Sequence, residues 1–338
     1  MNKLVPMFLM LGLWSCQQKQ APEYRSSHFE IHKLSEGVFA CIHKFGGKAI
    51  CNTGIIDNGK ETIVFDSFLS PEVAEEIQLV VDQYDLSPVR YVVNSHAHND
   101  HIRGNQSFSD EVDIISTAKC AELIAKWEKE EIPAEKEYAP PMVAFYDSLL
   151  LHFHGDTAGR EYQKILMWLP YFETLAESHL KVKTRLPNLI MEDSLSLDGP
   201  DRRIQLLTRG AGHTESDLIL YLPDDGIIYT ADLVFHEMHP YMGQGFPNAW
   251  LRYLEYIETL DFNILVPGHG EVCGRKQITA MKSYLRDLEW LALEMVREGM
   301  TPDQVSEIQM PDAYRDWWFE NFFTSNLRFM YGQVQDPG

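Results

Sequence analysis

The chain has 338 residues, 45% hydrophobic and 12% aromatic, ample material for a buried core, so wholesale disorder is excluded. A formal net charge of −21 excludes nucleic acid and anionic membrane surfaces as expected partners, because a polyanion would be repelled. The length fits one large domain or two small ones.

The first twenty residues, "MNKLVPMFLMLGLWSCQQKQ", place Lys3 before an apolar run from Leu4 to Trp14. The run is too short to cross a bilayer as a helix and has the length of an export-signal core. Leu13-Trp14-Ser15-Cys16 resembles a bacterial lipobox, which implies a signal peptide over residues 1–15 and lipidation of Cys16. Residues 16–28 then read as a flexible tether. The expected location is the cell envelope of a bacterium, with the membrane touched only through the lipid anchor. Such a location permits disulfides; Cys41 and Cys51, flanking "KFGGK", are the nearest pair, although buried free thiols are the expected state.

From Phe29 the pattern is β-rich. "GVFACIHKF" and "AICNTGIID" read as strands joined at Gly46-Gly47, and "TIVFDS" as a buried strand ending at Asp66. "SPEVAEEIQLVVDQYDL" opens with Ser-Pro and spaces Val73, Ile77, Val80 and Val81 as a helix does. "VRYVVNS" and "VDIIST" are strands, and "AKCAELIAKWEKEE" is a helix. Strands alternating with helices indicate an α/β layered domain. Residues 131–190 break the rhythm: "IPAEKEYAPPM" reads as a loop, followed by a long aromatic helical stretch. This region, about 121–190, is expected to be a helical insertion forming a lid or pocket wall. Its aromatics Trp168, Tyr171 and Phe172 read as core, and His152 and His154 as structural or surface residues. β-Sequence resumes with "SLSLDG", "IQLLTRGAG" and "LILYLPDDGIIYTADLVF", the last a hairpin about Asp224-Asp225-Gly226. "AWLRYLEYIETL" is an amphipathic helix with Trp250 in the core, "NILVPGHG" a strand entering a tight turn, and residues 276–338 helices packed on the same body.

The chemistry is concentrated where apolar strands end. "SHAHNDH" (95–101) holds three of the chain's 13 histidines. His213, Asp232 and His269 likewise follow the apolar stretches "IQLLTRGAG", "GIIYTA" and "NILVPG". Strand ends of a layered sheet can converge on one rim. Imidazoles with carboxylates suit zinc, with manganese or iron as alternatives. Seven such groups exceed one tetrahedral ion and match two ions sharing a bridge. His96 and His98, two apart on an extended loop, can face one ion; Asp100 and His101 can turn to a second.

"SHAHNDH", "GAGHTESD", "TADLVF" and "VPGHG" resemble, in order, the successive metal motifs of the metallo-β-lactamase superfamily, over residues 29–275. The resemblance implies a four-layer αββα sandwich with the metal site at one edge between the sheets. It implies His96, His98 and His213 on a first metal, Asp100, His101 and His269 on a second, Asp232 bridging, and Asp66 supporting the ligand loop. It implies hydrolysis of an ester, thioester, lactone or amide bond of a small molecule by hydroxide held between two zinc ions, with Asp100 relaying a proton. Two positions depart from or extend the pattern. Ile102-Arg103-Gly104 stands where the family commonly has a glycine pair, and Arg103 is expected to be solvated or to steer an anionic substrate. Asp232 stands where class B β-lactamases carry Cys or Ser, which favours the glyoxalase II and lactonase branch over β-lactam hydrolysis. A mononuclear iron oxygenase on the same fold and a non-catalytic binding protein are further alternatives. His236 and His239 are pocket candidates, with backbone-satisfied loop histidines as the plainer reading.

Overall fold

The computed structural model describes residues 24–335. The segment 1–15, Cys16 and most of the tether lie outside the described residues. Among the described residues no helix is long and apolar enough to cross a membrane.

The first half of the chain builds β1 (Phe29–Ser35), β2 (Val38–His43), β3 (Thr53–Asp57), β4 (Thr62–Phe65), helix α1 (Pro71–Gln83), β5 (Val89–Val93), the short α2 (Asn99–Ile102) and β6 (Asp113–Thr117). Helices α3 (Ala118–Leu151) and α4 (Arg160–Lys181) follow, and β7 (Leu189–Met191) closes a seven-stranded sheet in the order β1-β2-β3-β4-β5-β6-β7. The second half gives β8 (Ser194–Ser196), β9 (Gln205–Gly210), β10 (Asp217–Leu222), β11 (Ile227–Phe235), α5 (Pro247–Glu258), β12 (Ile264–His269), α6 (Lys276–Arg297) and α7 (Asn321–Gln335). Its five strands form a second sheet in the order β12-β11-β10-β9-β8.

Two-residue periodicity sorts the strands into layers. On β2, Val38, Ala40 and Ile42 face the other sheet, while Phe39 and Cys41 face α1. On β10, Leu218, Leu220 and Leu222 meet them in the middle, and Ile219 and Tyr221 turn outward to α5 and α6. Val73, Ile77, Val80 and Val81 of α1 cover the outer face of the first sheet. The result is the αββα sandwich of the metallo-β-lactamase fold, with one core between the sheets and one under each helical layer.

Two local expectations are corrected. "IPAEKEYAPPM" is not a loop: α3 runs unbroken through Pro133, Pro140 and Pro141. Each proline removes an intrahelical hydrogen bond, but Glu128 and Glu135, both buried, fasten this helix to Arg103 beneath it. The Gly46-Gly47 turn does not join two strands directly. It belongs to a longer excursion from His43 to Thr53, in which the Gly46 N–H donates to the Leu166 carbonyl on α4 at 2.8 Å. Cys41, Cys51, Cys120 and Cys273 are all free thiols, with Cys41 opposite Thr53 rather than Cys51.

Candidate metal centre

The seven residues named from the strand ends meet at one edge of the sandwich, between the two sheets. His96 and His98 leave the end of β5, and Asp100 and His101 start α2. His213 sits in the β9–β10 turn, Asp232 lies within β11, and His269 ends β12. Asp232 is thus inside its strand rather than past its end; Ala231 before it takes a φ of 44°, and the register with β12 shifts there. Gly268 makes room for it: a Cβ at that position would lie 1.9 Å from Asp232 Oδ1.

Donor atoms form two groups. His98 Nδ1 lies 3.0 Å from His96 Nε2 and 3.0 Å from His213 Nε2. Asp232 Oδ2 completes that group, 3.3 Å from His213 Nε2. In the second group, His101 Nε2 and His269 Nε2 lie 3.5 and 3.4 Å from Asp100 Oδ2. Asp232 Oδ1 lies 3.2 and 3.4 Å from the same two nitrogens. One carboxylate therefore offers one oxygen to each group, and each group has the spacing that could hold a cation. Among the described residues, His101 Nε2 and Asp232 Oδ1 are buried without a hydrogen-bond partner, which a bound cation would supply. The donor set fits a divalent metal.

Outer partners fix the tautomers. Asp66 Oδ2 accepts from His101 Nδ1 at 2.8 Å and from the Ser95 hydroxyl at 2.8 Å, while Asp66 Oδ1 accepts from the Ser95 N–H. Ser95 Oγ, its proton given to Asp66, accepts from His96 Nδ1 at 2.9 Å. His98 Nε2–H donates to Gln244 Oε1 at 2.6 Å. In each case the partner engages the outer nitrogen and leaves the other nitrogen facing the cluster. Asp66 holds its geometry from a φ of 64°, a left-handed conformation unusual for aspartate. Substituting Asp66→Asn, which cannot accept all three bonds, is expected to weaken metal affinity about 10–100-fold. Zinc titration against a competing chromophoric chelator measures this; wild-type affinity would rule the role out.

Burial and the neighbouring imidazoles push His96 and His213 well below the ordinary histidine range, which favours the neutral form a cation would need. Burial opposes ionisation of Asp232, but the His269 and His101 rings outweigh it and hold the carboxyl well below the usual range. Burial lowers His43 to about 3.

The cluster floors a cavity of about 530 Å³. Trp168, Tyr171 and Phe172 of α4, expected in the core, line this cavity with Tyr138 of α3, Phe319 just before α7 and Phe322 in α7, while Tyr171 and Phe172 also pack against the buried Leu69, Ala139 and Leu175. Arg103 is neither solvated nor turned to the cavity. It is buried and forms bidentate pairs with Glu128 and Glu135. Gly104 beside it allows this close approach, since a Cβ there would lie 1.8 Å from the Ser67 carbonyl oxygen. His236 and His239 do not line the cavity. His236 Nδ1 donates to the Glu271 carbonyl, and His239 is buried between the Tyr284 hydroxyl and the Tyr314 carbonyl. Trp250 is core, donating to the Leu233 carbonyl, and His152 and His154 are exposed.

Three contributors escaped the sequence reading. Ser95 sits inside the histidine motif and Asp217 inside "GAGHTESD", where it accepts from the Thr214 N–H and hydroxyl and pins the His213 turn. Gln244 carries no motif at all.

These features define a class: a four-layer sandwich with a cluster able to bind metal at the edge between its sheets. The chain belongs to the metallo-β-lactamase superfamily, whose sequence profile matches residues 46–269. An alkyl/aryl-sulfatase of Saccharomyces cerevisiae is 23% identical over 317 residues, covering 85% of this chain and 45% of the relative. A type 2 metallo-β-lactamase of Bacillus cereus is 24% identical over 238 residues, covering 68% of this chain and 72% of the relative. The structure of a sec-alkylsulfatase from Pseudomonas sp. is similar with a TM-score of 0.61 at 17% identity, over 90% of this chain and 50% of that one. The chain spans about half the length of the alkylsulfatases it matches.

Proposed function

We propose that this protein is a metal-dependent hydrolase that cleaves an ester, thioester, lactone or amide bond of a small molecule at a pair of cations, with zinc the expected metal. The reading rests on one observation: the two carboxylate oxygens of Asp232 face two separate groups of donor atoms. His96, His98 and His213 would hold one cation, Asp100, His101 and His269 the other, and Asp232 both. Bound there, divalent cations supply Lewis acidity and acidify water near neutral pH. Asp100 lines the cavity and is partly exposed, so it is placed to pass a proton between the cluster and a substrate. The aromatic walls exclude bulk water from the reacting bond. Two separate donor groups favour this reading over a mononuclear iron oxygenase and over a non-catalytic binding protein.

Sulfate-ester hydrolysis is a second reading, supported by similarity to alkylsulfatases across 85% of the chain. β-Lactam hydrolysis is a third, supported by the Bacillus cereus relative and disfavoured by Asp232. The proposed setting is the bacterial envelope, through lipidated Cys16, with a small-molecule substrate.

Elemental analysis of the purified full chain is expected to give two metal ions per molecule. Dialysis against a chelator is expected to abolish turnover of a panel of carboxylic esters, lactones, nitrocefin and alkyl sulfates, and added zinc to restore it. Turnover that survives complete removal of metal would sink the reading.

A further inference from the structure

The cavity above the cluster is walled very unevenly. Its apolar side centres on Trp168, whose ring lies 5.3 Å from Phe319, 5.8 Å from Tyr171, 5.9 Å from Phe172 and 6.0 Å from Phe322. These rings come from α4, from the approach to α7 and from its first turn, and all of them line the cavity. Burying an apolar body there is favourable in proportion to the apolar surface it takes out of water.

The polar side is sparse, and several of its groups already serve the protein. Gln244 accepts from His98, Asn99 donates to Glu131 and Glu135, and the Lys44 ammonium donates to the Ser26 carbonyl. His43 is different. It ends β2 on the cavity wall, its ring 5.9 Å from that of His269, and its Nε2 is buried with no partner among the described residues. Its position is fixed: the His43 N–H donates to Asn52 Oδ1, and Asn52 Nδ2 donates to the Pro267 and Gly270 carbonyls on either side of the His269 turn. A buried polar atom without a partner is costly unless a ligand meets it.

We propose that the substrate is an uncharged ester-type molecule with an aromatic or long-alkyl body seated against the Trp168 wall, and that His43 makes a hydrogen bond to its polar group beside the cluster. The proposal deepens the hydrolase reading, and His43 is a positioning residue within it. Two experiments separate the two ideas. For binding, the zinc-loaded full chain is titrated calorimetrically with acetophenone and octanophenone, neutral ketones that hydrolysis cannot cleave. Octanophenone is expected to bind at least about tenfold more tightly. Trp168→Ala, with Trp168→Phe as the milder variant, is expected to remove most of that difference. His43→Phe is expected to weaken both ketones severalfold at unchanged zinc content. For turnover, kcat/KM on p-nitrophenyl esters is expected to rise at least about tenfold from acetate to octanoate. Equal affinity for the two ketones, or wild-type binding by folded His43 and Trp168 variants, overturns the proposal. Selective ketone binding without turnover of any ester upholds the Trp168 and His43 subsite and removes the ester-hydrolase reading. Ester turnover with no chain-length preference overturns it and leaves hydrolysis standing.

Discussion

Asp232→Ala is expected to lower kcat/KM about 10²–10³-fold or more and to reduce bound metal, while the protein stays folded. The asymmetry follows from where Asp232 sits. Its backbone belongs to β11, held between β10 and β12, so the strand does not depend on the side chain. The carboxylate faces inward to the imidazoles of His101, His213 and His269, all within 3.4 Å. Removing it takes one oxygen from each donor group at once and leaves neither complete. Metal content by emission spectroscopy, a thermal melt and turnover, measured together, test this. An alanine variant with a full metal complement and wild-type turnover would falsify the bridging role.

The second large effect is on stability. Arg103→Leu is expected to destabilise the protein by about 3–5 kcal/mol, because Glu128 and Glu135 would remain buried without their cation. Glu135 is 0% and Glu128 3% exposed, and each places both carboxylate oxygens on the guanidinium. Had Arg103 been solvated, the loss would be about 0–1 kcal/mol. Adding Glu128→Gln and Glu135→Gln to Arg103→Leu is expected to recover much of the loss, since the stranded charges are then gone. Urea unfolding midpoints of the single and triple variants distinguish these cases, and a single-variant loss below about 1 kcal/mol contradicts the buried triad.

The contrast between these two residues shows what the chain discloses unaided. The donor cluster was legible because its members sit in short motifs in or just after the C-terminal parts of apolar strands or in the turn that joins two of them, and a layered sheet brings these together. Arg103 was misread because its partners stand 25 and 32 residues later, and the farther one, Glu135, lies beyond a proline that reads as the end of a helix. Only the continuous α3 brings Glu135 back over the metal loop. Trp168 and its neighbours were misread for a different reason. Helical spacing identifies an apolar face, but a face packed against protein and one opening on a cavity have the same spacing. For His239 the plainer reading holds: it follows Asp232 closely, yet the chain turns it away from the cavity, beneath α6 and the C-terminal aromatics, where the Tyr314 carbonyl meets it. Gln244, 146 residues from His98, has no local signature that any spacing rule could find.

The hydrogen bond from Gly46 to Leu166 has a wider consequence. The donor atoms lie on strands and turns of the two sheets, whereas much of the cavity's aromatic lining belongs to helices inserted between β6 and β7. On the proposed reading, the reactive edge and most of the aromatic recognition surface lie on separate stretches of polypeptide, joined through fastenings such as this one and the Arg103 triad. Such a layout is evolvable: the inserted helices can diverge and admit new molecules while the reactive edge of the sandwich is left untouched.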